Sequence, residues 1–168
     1  MPHSPDDIAT LLAAACPVLV VDDQTAMLKI LRSRFDQIGI TDVTLTSNPP
    51  EAVAALRRRP HALIVSDVEM SPVNGFEFLQ FVRAQPSLAR IPFVLVTASL
   101  QFTHVSDARA LNADGYLLKP FEAVALKRTI VDVMSRRGTS RTSEEVEEPA
   151  ATSQAPEAAT TRRFAVRL

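Results

Sequence analysis

Short apolar runs alternate with amphipathic segments along most of this 168-residue chain. Five runs are bounded by polar residues, as is typical of strands buried in a parallel sheet: VLVV, VTLT, ALIVS, PFVLV and GYLL. The segments after them are predicted helices: 24–38, 49–58, 75–84, 103–111 and 122–136. Asn48 before Pro49 predicts a capped, proline-first helix start, and Gly39 and Gly138 are expected to close the first and last helices.

Strand and helix alternate five times, which predicts an α/β fold with a doubly wound parallel sheet. Right-handed crossovers would place helices on both faces of the five strands, giving three layers. The expected architecture is the flavodoxin-like (βα)5 arrangement with strand order 2-1-3-4-5. Its topological switch point lies beside the first and third strands.

Polar side chains follow four of the five predicted strands at the point where each strand ends. Asp22 and Asp23 follow the first strand, Asp67 the third, Thr97 the fourth and Lys119 the fifth. The carboxyl ends of parallel strands meet at one edge of the sheet, where ligands bind in such folds. Because three carboxylates so close together need a cation, this edge is predicted to be a divalent-metal and phosphoryl site.

Composition narrows the class of protein. The formal net charge of -1 gives no general attraction for nucleic acid or membrane surfaces. Cys16 is the only cysteine, which excludes an internal disulfide and a cysteine-rich zinc site. The sequence contains neither the roughly 20 apolar residues of a membrane span nor the basic start of a signal peptide. A cytoplasmic protein is therefore expected.

Three regions are predicted along the chain. Residues 1–16 are an N-terminal extension with a short helix, whose apolar face packs on its own domain or contacts a partner. Residues 17–137 form the folded domain. Residues 138–168 are rich in Ser, Thr, Ala, Glu and Pro, which predicts a disordered tail with an arginine-rich end.

Four motifs carry a family resemblance: VVDDQ, VSDVEM, VTAS and YLLKPF, at the ends of strands one, three, four and five. In this order and at these elements they resemble the receiver domain of bacterial response regulators, particularly the single-domain chemotaxis (CheY-like) type. The resemblance covers residues 17–137. It implies a stand-alone signalling module of a two-component phosphorelay, and not an enzyme, that receives phosphate from a histidine kinase or phosphotransfer protein.

The resemblance also implies roles for the acidic residues. Asp67 would be the phosphoacceptor, and its carboxylate, ionised near neutral pH, needs no base to attack phosphorus. Mg²⁺ would be held by Asp23 directly, by Asp22 largely through water, by Asp67 and by the backbone carbonyl of Glu69. The acid at Glu69 leaves the lifetime of the phosphoryl group open.

Lys119 and Thr97 would donate to phosphoryl oxygens, and the Lys119–Pro120 bond is expected to be cis by the same resemblance. Thr97 and Tyr116 would form a conformational switch under the surface made by the fourth helix, fifth strand and fifth helix. That surface would bind a target such as a flagellar motor component. For Tyr116 the alternative is a half-buried aromatic residue with a hydrated hydroxyl group.

Two positions depart from the family pattern. Proline comes one place later than usual after the acceptor, at Pro72, so the shape of that loop is in question. Asn112 replaces the glycine that usually closes the fourth helix, and asparagine is the next best residue for a left-handed cap.

The tail supports an alternative hypothesis. Arg162, Arg163 and Arg167 surround Phe164, and arginine forks with an aromatic ring can hold phosphates and bases. The chain would then be a receiver-derived effector that binds cyclic di-GMP or another anionic partner, unless these residues are a disordered end or a docking peptide. A flavodoxin-like electron carrier is disfavoured because a Gly/Thr-rich phosphate loop and Trp are lacking. Without a helix-turn-helix, DNA is not an expected partner.

Overall fold

The computed structural model describes residues 16–98 and 112–143, with side chains as far as Arg136. Its five strands are β1 (Val18–Val21), β2 (Val43–Thr46), β3 (Leu63–Asp67), β4 (Phe93–Thr97) and β5 (Gly115–Leu118). Its helices in the described ranges are α1 (Thr25–Gln37), α2 (Pro49–Arg58), α3 (Gly75–Ala84) and α4 (Ala123–Ser143).

All strand pairs are parallel, and the order across the sheet is β2-β1-β3-β4-β5, which confirms the predicted topology. Val21 lies opposite Thr46 on one side and Ser66 on the other, while Asp67 lies opposite Val96. Strands β1, β3 and β4 therefore end almost in line, so the residues that follow them open onto one edge.

The core lies in two layers, one on each face of the sheet. On one face, α1 and α4 pack against alternate strand residues such as Val18, Val20 and Val65. On the other face, α2 and α3 pack against the intervening residues, including Leu19 and Ile64. This confirms the three-layer arrangement, and it explains the apolar runs in β1, β3 and β4, whose residues are buried on both faces.

The ends of the helices follow from local chemistry. Asn48 caps α2 by accepting a hydrogen bond of 2.9 Å from the backbone N–H of Glu51, as predicted. Asn74 and Glu77 form a reciprocal capping box at the start of α3, which the sequence analysis did not identify. The Asn-x-x-Glu spacing before an apolar helix is the signal that indicates it.

One helix boundary was wrong. Helix α4 continues through Gly138 to Ser143, beyond the predicted end at Arg136. Glycine costs a helix interior only about 1 kcal/mol relative to alanine, so it stops a helix only where no hydrogen-bonded continuation is available. The predicted N-terminal helix, the predicted helix 103–111 and residues 144–168 lie outside the described residues. Asn112 has φ 58°, the left-handed conformation expected of it.

Within residues 16–98 and 112–143, no helix combines the length and apolar character that crossing a bilayer requires.

Candidate functional site

Three carboxylates converge at the carboxyl edge of the sheet. Asp22 and Asp23 follow β1 and Asp67 ends β3, and one oxygen from each lies within 4.8 Å of the others. Asp22 and Asp67 are buried, with 0% and 2% of their surface exposed, whereas Asp23 is exposed. Adjacent β1 and β3 bring these residues together because both strands end at the switch point of the sheet.

Lys119, just beyond β5, supplies the positive charge. Its Nζ donates to Asp67 Oδ1 at 3.0 Å and to Asp22 Oδ2 at 3.1 Å. Its backbone N–H donates to the carbonyl of Thr97 at 2.7 Å, and the Lys119–Pro120 bond is cis, as the resemblance implied. The side chain of Lys119 therefore links the ends of β1 and β3, and its backbone N–H links the end of β5 to the end of β4.

The charges shift two pKa values within this site. Burial lowers the pKa of Lys119, but the hydrogen bonds and charges of Asp67 and Asp22 outweigh it, so the pKa stands above its ordinary value. Burial raises the pKa of Asp22, and the negative charge of Asp67 raises it further. The hydrogen bond from the Gln24 N–H and the charge of Lys119 lower this pKa, but they do not outweigh the increase. The site thus favours a charged amine and holds more negative charge than that amine offsets.

The donor set fits a magnesium ion. Asp67 Oδ2 is buried and has no hydrogen-bond partner among the described residues. Asp22 already accepts from the Gln24 N–H and from Lys119. One oxygen of Asp67 and one of the exposed Asp23 carboxylate lie within 4.8 Å of each other, and both residues supply hard oxygen donors of the type Mg²⁺ prefers. Glu69 lies exposed, two residues beyond Asp67.

The loop between Asp67 and Gly75 folds back closely on itself. The Gly75 N–H donates to the carbonyl of Val68 at 3.0 Å. A Cβ added at Gly75 would lie 2.2 Å from the Asp67 carbonyl oxygen and 2.9 Å from Val68 Cα. Only glycine permits this approach. The Ser71–Pro72 bond is cis, and α3 begins at Gly75.

The two predicted switch residues lie near the same edge. Thr97 ends β4 and is 3% exposed. Tyr116 of β5 lies opposite Leu95 and packs, partly buried, against the core layer of α2 and α3. Its hydroxyl is buried and has no partner among the described residues. Burial, with the charge of Asp114, raises the pKa of Tyr116 to about 12.

The remaining residues singled out in the sequence are three arginines of the tail and Cys16. Arg162, Arg163 and Arg167 are outside the described residues. Cys16 is buried at 3% exposure beside the amino end of β1, and burial, with the Asp42 charge, raises the pKa of its thiol to about 11. Such burial is typical of a small packed residue.

Comparisons with a family model and with individual proteins all point to the same family. Residues 18–131 match the model of the response regulator receiver domain. The chain is 31% identical over 119 residues to the probable chemotaxis protein CheY of Rhizobium etli, covering 71% of this chain and 92% of that protein. It is 29% identical to the chemotaxis protein CheY of Pseudomonas aeruginosa, with 71% and 96% covered.

Solved structures show the same similarity. The chemotaxis response regulator CheY4 of Vibrio cholerae aligns with a TM-score of 0.64 and 29% identity, covering 70% of this chain and 98% of that one. A receiver domain protein of Clostridium thermocellum aligns with a TM-score of 0.66 and 19% identity, covering 75% of this chain and 99% of that one, which supports the fold alone.

Proposed function

Because this chain belongs to the response regulator receiver domain family, we propose that it accepts a phosphoryl group on Asp67 from a histidine kinase or phosphotransfer protein. The observation that carries the proposal is the Lys119 ammonium held between two buried carboxylates, with one Asp67 oxygen left without a partner among the described residues. A purely structural ion pair would satisfy both oxygens of a buried carboxylate. The unpartnered Asp67 oxygen can therefore act as a ligand to a cation.

The transfer requires little from the protein beyond position and charge. A carboxylate oxygen of Asp67 forms the new P–O bond while the P–N bond of the phosphohistidine donor breaks, giving an acyl phosphate and a neutral histidine after protonation. Mg²⁺ held by Asp23, Asp67 and the Glu69 carbonyl would neutralise charge on the phosphoryl oxygens. Lys119 and the Thr97 hydroxyl would donate to those oxygens.

We further propose that the output is a shift between two conformations. A phosphoryl group adds a charge of about -2 beside Lys119, whose backbone is bonded to Thr97. Tyr116, three residues before Lys119, has a buried hydroxyl without a described partner, so a new hydrogen bond can stabilise another arrangement. The target would bind near β5 and the start of α4, where Leu118 and Val124 are 39% and 69% exposed.

The chemotaxis relatives make a flagellar motor component a reasonable class of target. The protein would thus act as a signalling module, with Mg²⁺ as its cofactor, by phosphorylation-dependent protein binding.

The test uses full-length protein labelled with ¹⁵N. Beryllofluoride or acetyl phosphate with Mg²⁺ is expected to shift the amide signals of Asp67, Thr97 and Tyr116, and Asp67→Asn is expected to abolish the shifts. Asp36→Asn, which changes an exposed carboxylate on α1, is the matched control and should leave them intact. A panel of histidine kinases then identifies the phosphate donor. Equal labelling of the Asp67→Asn variant would contradict the assignment of the acceptor.

A further inference from the structure

A groove lies at the opposite edge of the sheet from the carboxylates, between the end of α2 and the outer face of α3. Its volume is about 550 Å³, which lies in the range of pockets that hold peptides and small ligands. Its apolar wall includes Phe81, which is 36% exposed, with Leu88 and Ile91 beside it. The groove takes no part in the phosphoryl chemistry proposed above.

The rim of this groove is strongly basic. Arg57, Arg58 and Arg59 are consecutive, and His61 follows them. Arg59 is neutralised by Asp42, with N–O distances of 2.6 and 3.0 Å. Arg57 and Arg58 are exposed, and neither makes an ion pair or hydrogen bond within the described ranges. Two uncompensated guanidinium groups beside an apolar wall favour an acidic segment that also carries small apolar side chains.

The chain itself contains such a segment. Residues 144–157 hold Glu144, Glu145, Glu147, Glu148 and Glu157, with no Lys or Arg among them, and they include one valine and three alanines. Since the whole chain has a net charge of only -1, this concentration of negative charge is local. The glutamates of this segment are complementary to the basic rim of the groove, and its small apolar side chains are complementary to the apolar wall.

The connectivity brings the segment to the correct edge. Helix α4 begins beyond the carboxyl end of β5 and runs back for 21 residues, a rise of about 31 Å. Because a strand of four or five residues spans only about 13–17 Å, α4 ends about 15 Å beyond the amino edge of the sheet, the edge at which α2 also ends. The groove lies on the other face, about 20 Å away across two layer spacings of roughly 10 Å, so the end of α4 lies about 25 Å from it. The main chain from Ser143 reaches about 17–18 Å at Glu148 and about 46–50 Å at Glu157. Glu157 therefore reaches the groove through the main chain alone, and Glu147 and Glu148 reach its rim when their side chains and those of the arginines are extended.

We propose that the acidic segment 144–157 docks into the groove between α2 and α3 of its own chain, with its glutamates against Arg57 and Arg58. Covalent attachment raises the effective concentration of the segment to the millimolar range, so that weak exposed ion pairs are sufficient. The docked segment covers Phe81 and the apolar wall.

The test attaches a nitroxide at position 153 of a full-length Ser153→Cys variant and measures broadening of ¹⁵N amide signals. Cys16 is buried, and its freedom from label is checked by mass spectrometry. Broadening is expected at residues 57–61 and 81–88. Arg57→Glu with Arg58→Glu should lower the bound-to-free ratio by on the order of tenfold, because two attractions become repulsions. Arg128→Glu, which changes an exposed arginine on α4, is the matched control.

Two further measurements distinguish loss of docking from loss of folding. Adding Glu147→Lys and Glu148→Lys to the double arginine variant should restore the broadening, which a merely unfolded variant would not do. On the starting protein, 0.5 M NaCl should weaken it without any substitution at the rim. Broadening elsewhere, broadening insensitive to both charge reversal and salt, or broadening seen only between ¹⁵N-labelled and nitroxide-labelled copies would overturn the proposal.

Discussion

Without metal, the Asp23→Asn variant is expected to have a larger free energy of unfolding than the unsubstituted protein. With Mg²⁺ present, its free energy of unfolding is expected to be the smaller of the two. Asp23 is exposed, and its carboxylate lies within 4.8 Å of those of Asp22 and Asp67. Each repulsion at that distance is worth about 1 kcal/mol with water-like screening, and the attraction of Asp23 to the Lys119 ammonium offsets part of the two repulsions. Removing the charge should therefore add about 1 kcal/mol to the free energy of unfolding. No hydrogen bond to the Asp23 side chain is lost in the described site.

The effect reverses when Mg²⁺ is added. Binding to the folded state stabilises the unsubstituted protein by about 2.7 kcal/mol at a hundredfold excess over Kd. Asp23→Asn removes a charged ligand and should lose most of this gain. The two unfolding curves should therefore exchange order between EDTA and 10 mM MgCl₂. For a domain of this size, each 1 kcal/mol corresponds to about 4 °C in Tm.

Urea unfolding followed by circular dichroism, with and without Mg²⁺, measures both arms. Asp36→Asn is the control, because Asp36 is an exposed carboxylate paired with Arg32 and far from the cluster. It should change stability by less than about 1 kcal/mol and leave the Mg²⁺ effect intact. A less stable Asp23→Asn protein in EDTA, or an undiminished response to Mg²⁺, would refute the electrostatic argument.

Two more predictions test the surroundings of the site. Gly75→Ala forces a Cβ to within 2.2 Å of the Asp67 carbonyl oxygen, so urea unfolding should show a loss of about 1–3 kcal/mol, whereas Gly138→Ala within α4 should add about 0.5–1 kcal/mol. Equal effects of the two substitutions would contradict the close approach. Tyr116 is the only tyrosine and the chain has no tryptophan, so absorbance at 295 nm reports its ionisation directly. Its pKa is raised to about 12 in the folded state. The neutral form of Tyr116 therefore stabilises the fold fully below pH 10, and this contribution is lost as the pH rises through 12. A titration midpoint near pH 10 for Tyr116 in the folded protein would show instead that its hydroxyl is hydrated.

The predicted strands were accurate because their signal is local and strong. VLVV, VTLT and GYLL match the observed bounds of β1, β2 and β5, and the polar residues after the strands fixed the functional edge. Parallel strands with alternating helices allow few topologies, which is why strand order followed from the pattern. Proline and asparagine likewise fixed the start of α2 at Pro49.

Features that depend on non-local contacts were not predictable in the same way. Arg83 donates to Asp114, 31 positions later, and to the carbonyls of Asn112, Ala89 and Ile91. Nothing in the spacing of these residues indicates that they meet. The unpartnered oxygen of Asp67 is equally invisible in sequence, because it depends on where the Lys119 amine points. Residue type and order thus predicted which groups share the edge, but not how their hydrogen bonds are distributed.

That distribution bears on the proposed signalling. Lys119 is shared by carboxylates at the ends of β1 and β3, and its own backbone is bonded to the end of β4. A change in charge at Asp67 therefore alters the pull of Lys119 on Asp22 at the same time. Since Lys119 directly follows β5, the altered force acts on the strand that carries Tyr116. One added phosphoryl group would in this way act on four strand ends at once, and a two-state response needs no separate relay through the core.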